Sequence, residues 1–323
     1  MKVLVTGAAG FVGSAIARRL VGDGHAVVGV DNLITGNLEN LAAVRERMEF
    51  HEEDIRDGAA MERLCEGVEV IFHEAALPSV PKSVLDPLTS HQNNIEGTLM
   101  VLLAARAKGV RRVVYAASSS AYGESPTLPK HEGMAPAPIS PYAVQKLTGE
   151  LYMQSFTRVY GLETVSLRYF NVFGPYQAAN SPYSGVLAKF ITAMLTNGSP
   201  VANGDGQQSR DFTYIDNVVE ANLLAATAPA ERVSGKVYNV ACGTRFSLLE
   251  TFRILKEITG FAGELQFGPP RTGDIQHSLA AIEQAREDLG YAPAVDFVEG
   301  LRRTVGWYAE RLGVAVPAGL AKA

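Results

Sequence analysis

The sequence predicts an α/β fold: a doubly wound parallel sheet followed by a smaller C-terminal α/β lobe. Three observations predict it. Short β-branched runs alternate with helix-period segments through the first half of the chain. A glycine-rich turn joins the first of these strands to the first helix. After Asn171 the rhythm breaks into segments rich in Gly, Pro, Asn and Tyr. At roughly 150 residues per domain, 323 residues suit two units or one large unit with a second lobe.

The elements follow in order. Residues 3–6 form a short apolar run, and 11–21 carry Phe11, Ala15 and Leu20 at helical spacing against Arg18 and Arg19. Strands are expected at 26–30, 48–51, 68–73, 112–117 and 163–168, and the longest helices at 87–108 and 141–160. Right-handed crossovers between parallel strands place helices on both faces. Further on, helices are expected at 185–197, 216–226, 247–259, 280–289 and 298–312, with loops at 203–210 and 268–274. The division expected is residues 1–170 as the sheet domain, with elements near 211–240 returning to it, and 171–323 mainly as the second lobe.

Composition narrows the function. Lys plus Arg number 29 and Asp plus Glu 34, for a net charge of −5. Hydrophobic residues at 47% supply ample core and exclude a disordered chain. An acidic chain disfavours general nucleic-acid binding but leaves room for one basic pocket. Cys65 and Cys242 make neither a disulfide framework nor a CxxC pair, and no apolar run reaches membrane-spanning length. The amino terminus enters its glycine turn at once, without the long apolar segment of a signal peptide. A soluble cytoplasmic protein is expected, with no metal: His, Cys and carboxylates fall at no metal-ligand spacing.

Gly7-Ala8-Ala9-Gly10-Phe11-Val12-Gly13 has the spacing GxxGxxG. One glycine permits the tight turn, the next lets backbone N–H groups approach a pyrophosphate, and the last lets helix and strand pack closely. A plain glycine turn is the alternative, but an acidic residue, Asp31, ends the second strand at the expected distance. Its carboxylate suits ribose hydroxyls and repels a 2′-phosphate, so NAD is favoured over NADP. A turn cap before Asn32 is the competing role. Asp54-Ile55, after the third strand, is placed to hold an adenine ring, and equally to make a surface turn.

Tyr142-Ala-Val-Gln-Lys146 puts a phenol and an ammonium on one helix face. A cation beside a phenol lowers its pKa from about 10 toward the range of a useful base. YxxxK alone is common. Ser118 adds weight, because it ends a strand at the carboxyl edge where doubly wound sheets bind ligands. Ser118-Ser119-Ser120 is otherwise a polar loop.

With these residues, the chain resembles the extended short-chain dehydrogenase/reductase family and, more narrowly, the nucleotide-sugar 4-epimerases. The likeness continues through Phe72-His73-Glu74-Ala75-Ala76, Asn93-Asn94-Ile95-Glu96-Gly97-Thr98 and Arg168-Tyr169-Phe170-Asn171-Val172-Phe173-Gly174-Pro175. It extends to Arg210-Asp211-Phe212-Thr213-Tyr214-Ile215-Asp216 and Arg271-Thr272-Gly273-Asp274. The resemblance implies a Rossmann domain binding NAD, with Ser118 orienting the substrate, Tyr142 as base and Lys146 as its electrostatic partner. It implies cofactor contacts from Gly7, Gly10, Phe11, Val12, Gly13, Asp31, Asn32, Asp54, Ile55, Asn94 and Tyr169. It implies contacts with a UDP-sugar from Ser79, Val80, Ser119, Asn171, Leu187, Arg210, Arg271, Asp274 and Ser278. For the two arginines, a surface ion pair with Asp211 or Asp274 is the competing role.

The implied activity is 4-epimerisation. Ser278 stands at the position that gates the sugar pocket in this family, where hexose-only bacterial members carry Tyr, so UDP-GlcNAc/UDP-GalNAc is expected to fit as well as UDP-Glc/UDP-Gal. Asn171 to Pro175, Ser181-Pro182-Tyr183 and Gly204 to Arg210 point the same way. A UDP-glucuronate 4-epimerase shares this machinery and is the alternative reading. Sugar 4,6-dehydratases need an Asp-Glu pair where Ser119 and Ser120 stand. A non-catalytic dinucleotide sensor is the remote reading, since such proteins usually lose the Tyr or the Lys. The helices at 87–108 and 141–160 are those with which the family builds a homodimer, although their apolar faces equally suit a core. His73, Trp307 and Tyr308 read as structural.

Overall fold

A computed structural model describes residues 1–179, 185–269, 276–315, 317 and 320. Seven parallel strands make the main sheet: β1 (Lys2–Thr6), β2 (Ala26–Asp31), β3 (Glu49–Glu52), β4 (Val70–His73), β5 (Arg112–Ser118), β6 (Glu163–Tyr169) and β7 (Lys236–Val240). Their order across the sheet is β7-β6-β5-β4-β1-β2-β3. The order reverses between β1 and β4, and a doubly wound sheet opens its ligand crevice at such a point.

The helices are α1 (Phe11–Gly22), α2 (Gly58–Leu64), α3 (Val80–Leu85), α4 (Pro87–His91), α5 (Gly97–Ala107), α6 (Pro141–Tyr160), α7 (Val186–Leu195), α8 (Ile215–Thr227), α9 (Ala230–Val233), α10 (Leu248–Thr259), α11 (Glu283–Leu289) and α12 (Phe297–Leu312). Strand residues feed two cores alternately, because successive side chains leave a strand on opposite faces. Val3 and Val5 join α1 and α8 on one face, while Leu4 joins α2, α5 and α6 on the other. The first core runs on into the second lobe through Phe190, Leu255 and Leu301. There Phe297 stacks on Phe212 and Phe246, with ring centroids 5.0 and 4.4 Å apart.

Local chemistry explains the boundaries. Ser140 caps α6 by accepting from the Ala143 N–H, Pro141 starts the helix, and Gly161 ends it in the left-handed conformation. The helix expected at 87–108 runs from Pro87 to Ala107 and widens in its middle: α4 and α5 are joined by a π-helical turn over Gln92–Glu96. The helix expected at 280–289 begins only at Glu283, because the backbone at 277 and 280 is bridged to Ser209 and Lys130. The loop expected at 203–210 ends in a two-residue strand, Ser209–Arg210, paired with Phe246–Ser247. β7 pairs with β6, and α8 packs on β5 and β6. Cys65 and Cys242 are free thiols. No described helix is long and apolar enough to cross a membrane.

Candidate active site

The turn after β1 is shaped by absent side chains. Gly7 has φ +65°, and a Cβ there would lie 2.8 Å from the Ala75 backbone. A Cβ on Gly13 would lie 2.1 Å from the Gly7 carbonyl oxygen, so only glycine lets α1 start against the strand. The turn closes with Gly10 N–H donating to the Gly7 carbonyl at 2.9 Å. Phe11 and Val12 begin α1, half-buried, and the positive end of the helix faces the turn.

Asp31 sits beside this turn with 8% of its surface exposed. Its carboxylate accepts the Ala9 N–H at 3.0 Å and the Leu33 N–H at 2.8 Å. Burial pushes the carboxyl above its ordinary value, and the amides oppose the shift. Asn32 donates to Asp54 at 3.0 Å, and Arg56 clamps both Asp54 oxygens at 2.9 and 2.8 Å. That hydrogen bonding, Arg56 first, holds the Asp54 carboxyl at about 2. Ile55 behind it is buried. The glycine turn, Asp31 and Asp54 thus adjoin at the carboxyl ends of β1, β2 and β3, tied by the Asp31–Ala9 and Asn32–Asp54 bonds, at the sheet edge where a doubly wound fold takes its ligand.

The next group of residues comes from β4, β6 and the π turn. Asn94, in that turn, spends its side chain on structure. Its oxygen accepts the Leu77 N–H at 2.7 Å, and its nitrogen donates to Gln145 at 2.8 Å. The Tyr169 hydroxyl bonds Glu74 at 3.0 Å and receives the Asn222 amide at 2.8 Å. His73 lies wholly buried between the hydroxyls of Thr6 and Thr98 at 2.7 and 2.9 Å. Burial, and then the Lys146 charge, pushes its imidazole down to about 3. It is a neutral structural residue.

Ser118 ends β5 and faces α6 across the sheet edge. Its hydroxyl accepts from the Ser120 N–H and hydroxyl at 3.2 and 2.9 Å, leaving its own proton to donate. Burial pushes the Tyr142 phenol above its ordinary value, and a hydrogen bond from Ser118 pulls it back. Lys146, 3% exposed, donates to the Ala116 carbonyl at 2.8 Å and lies 5.0 Å from the Tyr115 ring centroid. Burial lowers its ammonium to about 8 against the opposing charges of Glu74 and Glu150. Ser79 caps α3, and Val80 beside it is exposed. Ser83 on α3 accepts the Tyr142 N–H at 3.1 Å, which ties that turn to the first turn of α6. Ser119 is half-buried next to Ser118.

Asn171 stands just past β6 with φ +35° and donates to the Asp211 carbonyl at 3.0 Å. Arg210 donates to the Ser209 and Gln276 carbonyls at 3.0 and 3.2 Å. Ser278 is bonded through its N–H to the Ser209 carbonyl at 3.0 Å. Leu187 is 2% exposed in α7, so its side chain belongs to the core. Arg271, Asp274 and Ser181-Pro182-Tyr183 lie outside the described residues.

The family model described as NAD dependent epimerase/dehydratase family matches residues 3–241. The chain belongs to the NAD dependent epimerase/dehydratase family. It is 40% identical over 312 residues to the UDP-glucose 4-epimerase of Mycolicibacterium smegmatis, covering 95% of this chain and 98% of the relative. A crystal structure of the Thermotoga maritima UDP-glucose 4-epimerase with UDP-glucose superposes with a TM-score of 0.92 at 39% identity, over 97% of this chain and 100% of that one. The UDP-N-acetylglucosamine 4-epimerase of Methanobrevibacter ruminantium M1, in complex with UDP-N-acetylmuramic acid, gives 0.92 at 41%, over 96% and 98%.

Within this epimerase/dehydratase scaffold, some residues bear on the site without any motif marking their role. Glu74, Tyr115, Glu150 and Arg168 surround the Lys146 end of α6. Glu150 stands one helical turn after Lys146, a spacing the sequence does show, whereas the bonds of Glu74, Tyr115 and Arg168 reach residues 95, 31 and 18 positions away. Asp211 stands beside Arg210 but does not pair with it; its carboxylate accepts backbone N–H groups. No cluster of three metal-ligating side chains occurs among the described residues.

Proposed function

We propose that this protein is an NAD-dependent 4-epimerase of a UDP-sugar. The observation that carries the reading is Ser118 and the Tyr142–Lys146 helix face meeting at the carboxyl edge of β5, beside the glycine turn that follows β1. NAD, when bound, supplies the acceptor that takes the hydrogen from sugar C4 and gives it back. The chain's residues do the rest. Ser118 donates to the sugar oxygen and aligns it. Tyr142 accepts the proton of the 4-hydroxyl and returns it after the 4-keto sugar has turned over. Lys146 supports the phenolate and the nicotinamide ribose. Gly7, Gly10, Phe11, Val12, Gly13, Asp31, Asn32, Asp54, Ile55, Asn94 and Tyr169 form the cofactor side of the site. Asn94 and Asp54 act mainly by holding backbone in place, since their polar atoms are already bonded.

Asn171 and Arg210, with Arg271 and Asp274, take the nucleotide diphosphate and ribose, where guanidinium groups give charge-assisted bonds. Ser79, Val80, Ser119 and Ser278 border the sugar, and Leu187 contributes backbone. The small side chain at 278 favours UDP-GlcNAc/UDP-GalNAc, with UDP-Glc/UDP-Gal also accepted. We take residues 1–170, with the returning chain near 211–240, as the cofactor domain, and the rest of 171–323 mainly as the sugar-nucleotide lobe. We place the protein in the cytoplasm, as a homodimer. Leu85, Leu88, Val144, Leu151 and Val159 are exposed on or beside α3, α4 and α6, as such a face requires. A light-scattering mass near 34.6 kDa would overturn the dimer.

The test is proton NMR of the holoenzyme with UDP-Glc, UDP-GlcNAc and UDP-GlcA in turn, following the anomeric and H4 signals. Conversion of UDP-GlcNAc to its 4-epimer is expected. Conversion of UDP-GlcA alone would keep the chemistry and overturn the sugar. No epimer from any of them would overturn the reading.

A further inference from the structure

Asp211 is wholly buried, at 0% exposure. Its Oδ1 accepts the Cys242 N–H at 2.9 Å, and its Oδ2 accepts the Gly243 N–H at 3.1 Å and the Ala280 N–H at 3.2 Å. Cys242 and Gly243 lie just beyond β7, whereas Ala280 closes the segment that carries Ser278. The main chain around Asp211 is tied as tightly. Its carbonyl accepts the Asn171 amide, Ser209 N–H donates to Gln276, and Ser278 N–H donates to Ser209. The strip 209–211 is thus a spine between three segments, and Asn171, Arg210 and Ser278 all hang from it.

We propose that Asp211 is a positioning residue of the nucleotide-sugar site: its carboxylate locks segment 276–280 in register on 209–211 and thereby sets the spacing of Arg210, Asn171 and Ser278. The proposal rests on the reading of those three as substrate contacts. The chemistry demands the ionised form. A carboxylate offers acceptors only, and can satisfy three donors at once; the protonated acid turns an O–H toward them and loses an acceptor. An amide in its place has the same defect. Burial pushes the Asp211 carboxyl up to about 6, against the three amides.

Among the described residues, the groups facing it are few. The Cys242 thiol and the Tyr291 phenol, which donates to the Ala241 carbonyl, are themselves pushed above their ordinary values by burial and stay neutral in this range. Arg210 is the neighbouring cation, and His277 bonds the Ser209 hydroxyl at 2.9 Å.

The experiment is calorimetric titration of the holoenzyme with UDP-glucose and UDP-N-acetylglucosamine from about pH 5 to about pH 8, alongside steady-state kinetics. A UDP-sugar is a diphosphate diester, with no phosphate that titrates in that range. Wild-type affinity is expected to fall as pH drops through about 6. Asp211→Asn is expected to raise Kd and KM about tenfold or more, with kcat within about threefold, NAD affinity kept and the pH dependence gone. His277→Gln is expected to keep the pH dependence, and its loss in Asp211→Asn, where Glu74 and Lys146 are unchanged, assigns it to Asp211. Wild-type Kd in Asp211→Asn, or a pH dependence that follows His277, would overturn the assignment. If Asp211→Asn does not fold, a flat wild-type profile overturns it instead. A wild type that binds neither UDP-sugar would overturn the underlying reading of the site.

Discussion

Arg168 grips Glu150 through two bonds, Nε to Oε1 at 2.9 Å and Nη2 to Oε2 at 2.7 Å, with 4% and 1% of the side chains exposed. The guanidinium also lies 4.5 Å from the Tyr122 ring centroid. One pair thereby joins α6, which carries Tyr142 and Lys146, to β6 and to the turn that follows Ser118. Arg168 Nη1 has no partner among the described residues.

Removing one member strands the other charge in the interior. Glu150→Gln should destabilise the fold by about 3–5 kcal/mol in urea unfolding. The double variant Glu150→Leu with Arg168→Met should recover most of that loss, because an apolar pair of similar volume carries no desolvation penalty. Additive losses in the double variant would show that the pair is not coupled.

Tyr142→Phe removes the proposed proton acceptor and little volume. Turnover of the UDP-sugar should fall by about 10²–10⁴, with substrate affinity near the wild-type value. Single-turnover assays with calorimetric Kd values read this directly. Unchanged turnover would refute the general-base assignment.

His73 and Glu74 are adjacent and titrate in opposite directions. His73 falls from 6.5 to about 3 on folding, so the unfolded chain binds its proton more readily and this residue makes stability rise with pH across that window. Glu74 rises from 4.5 to about 7 through burial, so the folded chain holds its proton and stability falls as pH rises between those values. Their slopes oppose each other between 4.5 and 6.5. Relative to wild type, Glu74→Gln should steepen the gain of stability with pH there, and His73→Gln should flatten or reverse it. Urea midpoints at several pH values check the sign.

On the proposed reading, Ser278→Tyr would fill the sugar gate. It should lower kcat/KM for UDP-GlcNAc by about 2 kcal/mol, roughly 30-fold, with UDP-Glc little affected. Equal losses on both sugars would show that position 278 does not read the acetamido group.

Much of the cofactor half is legible because its signals are local. The β1 run, the glycine spacing and the cap and stop of α6 each lie within a few neighbouring residues, and the helix at 141–160 has the same limits in the structure. The seventh strand is less legible: Lys236–Val240 is short and lies between loops, and it becomes a strand by pairing with β6. The π turn in 87–107 is invisible to periodicity, since the Leu77 and Gln145 bonds to Asn94 are made by chain 17 and 51 residues away. The same holds for Asp211, whose donors lie 31, 32 and 69 residues along the chain. Beside an arginine, an aspartate reads as an ion pair until the backbone amides around it are seen.

Asp31 gives the glycine turn its final consequence. Its carboxylate holds the Ala9 and Leu33 amides, and a Cβ on Gly36 would lie 2.7 Å from its Oδ1. The residue we propose as the discriminator between cofactors is thus also a keystone of the loop's architecture. Exchanging it for a residue tolerant of a 2′-phosphate would leave one buried and one half-buried amide without this acceptor, so on the proposed reading cofactor preference is wired into foldability. An NADP-using descendant of this sequence would have to rebuild the turn from 31 to 36 together with Ala9, rather than change one letter.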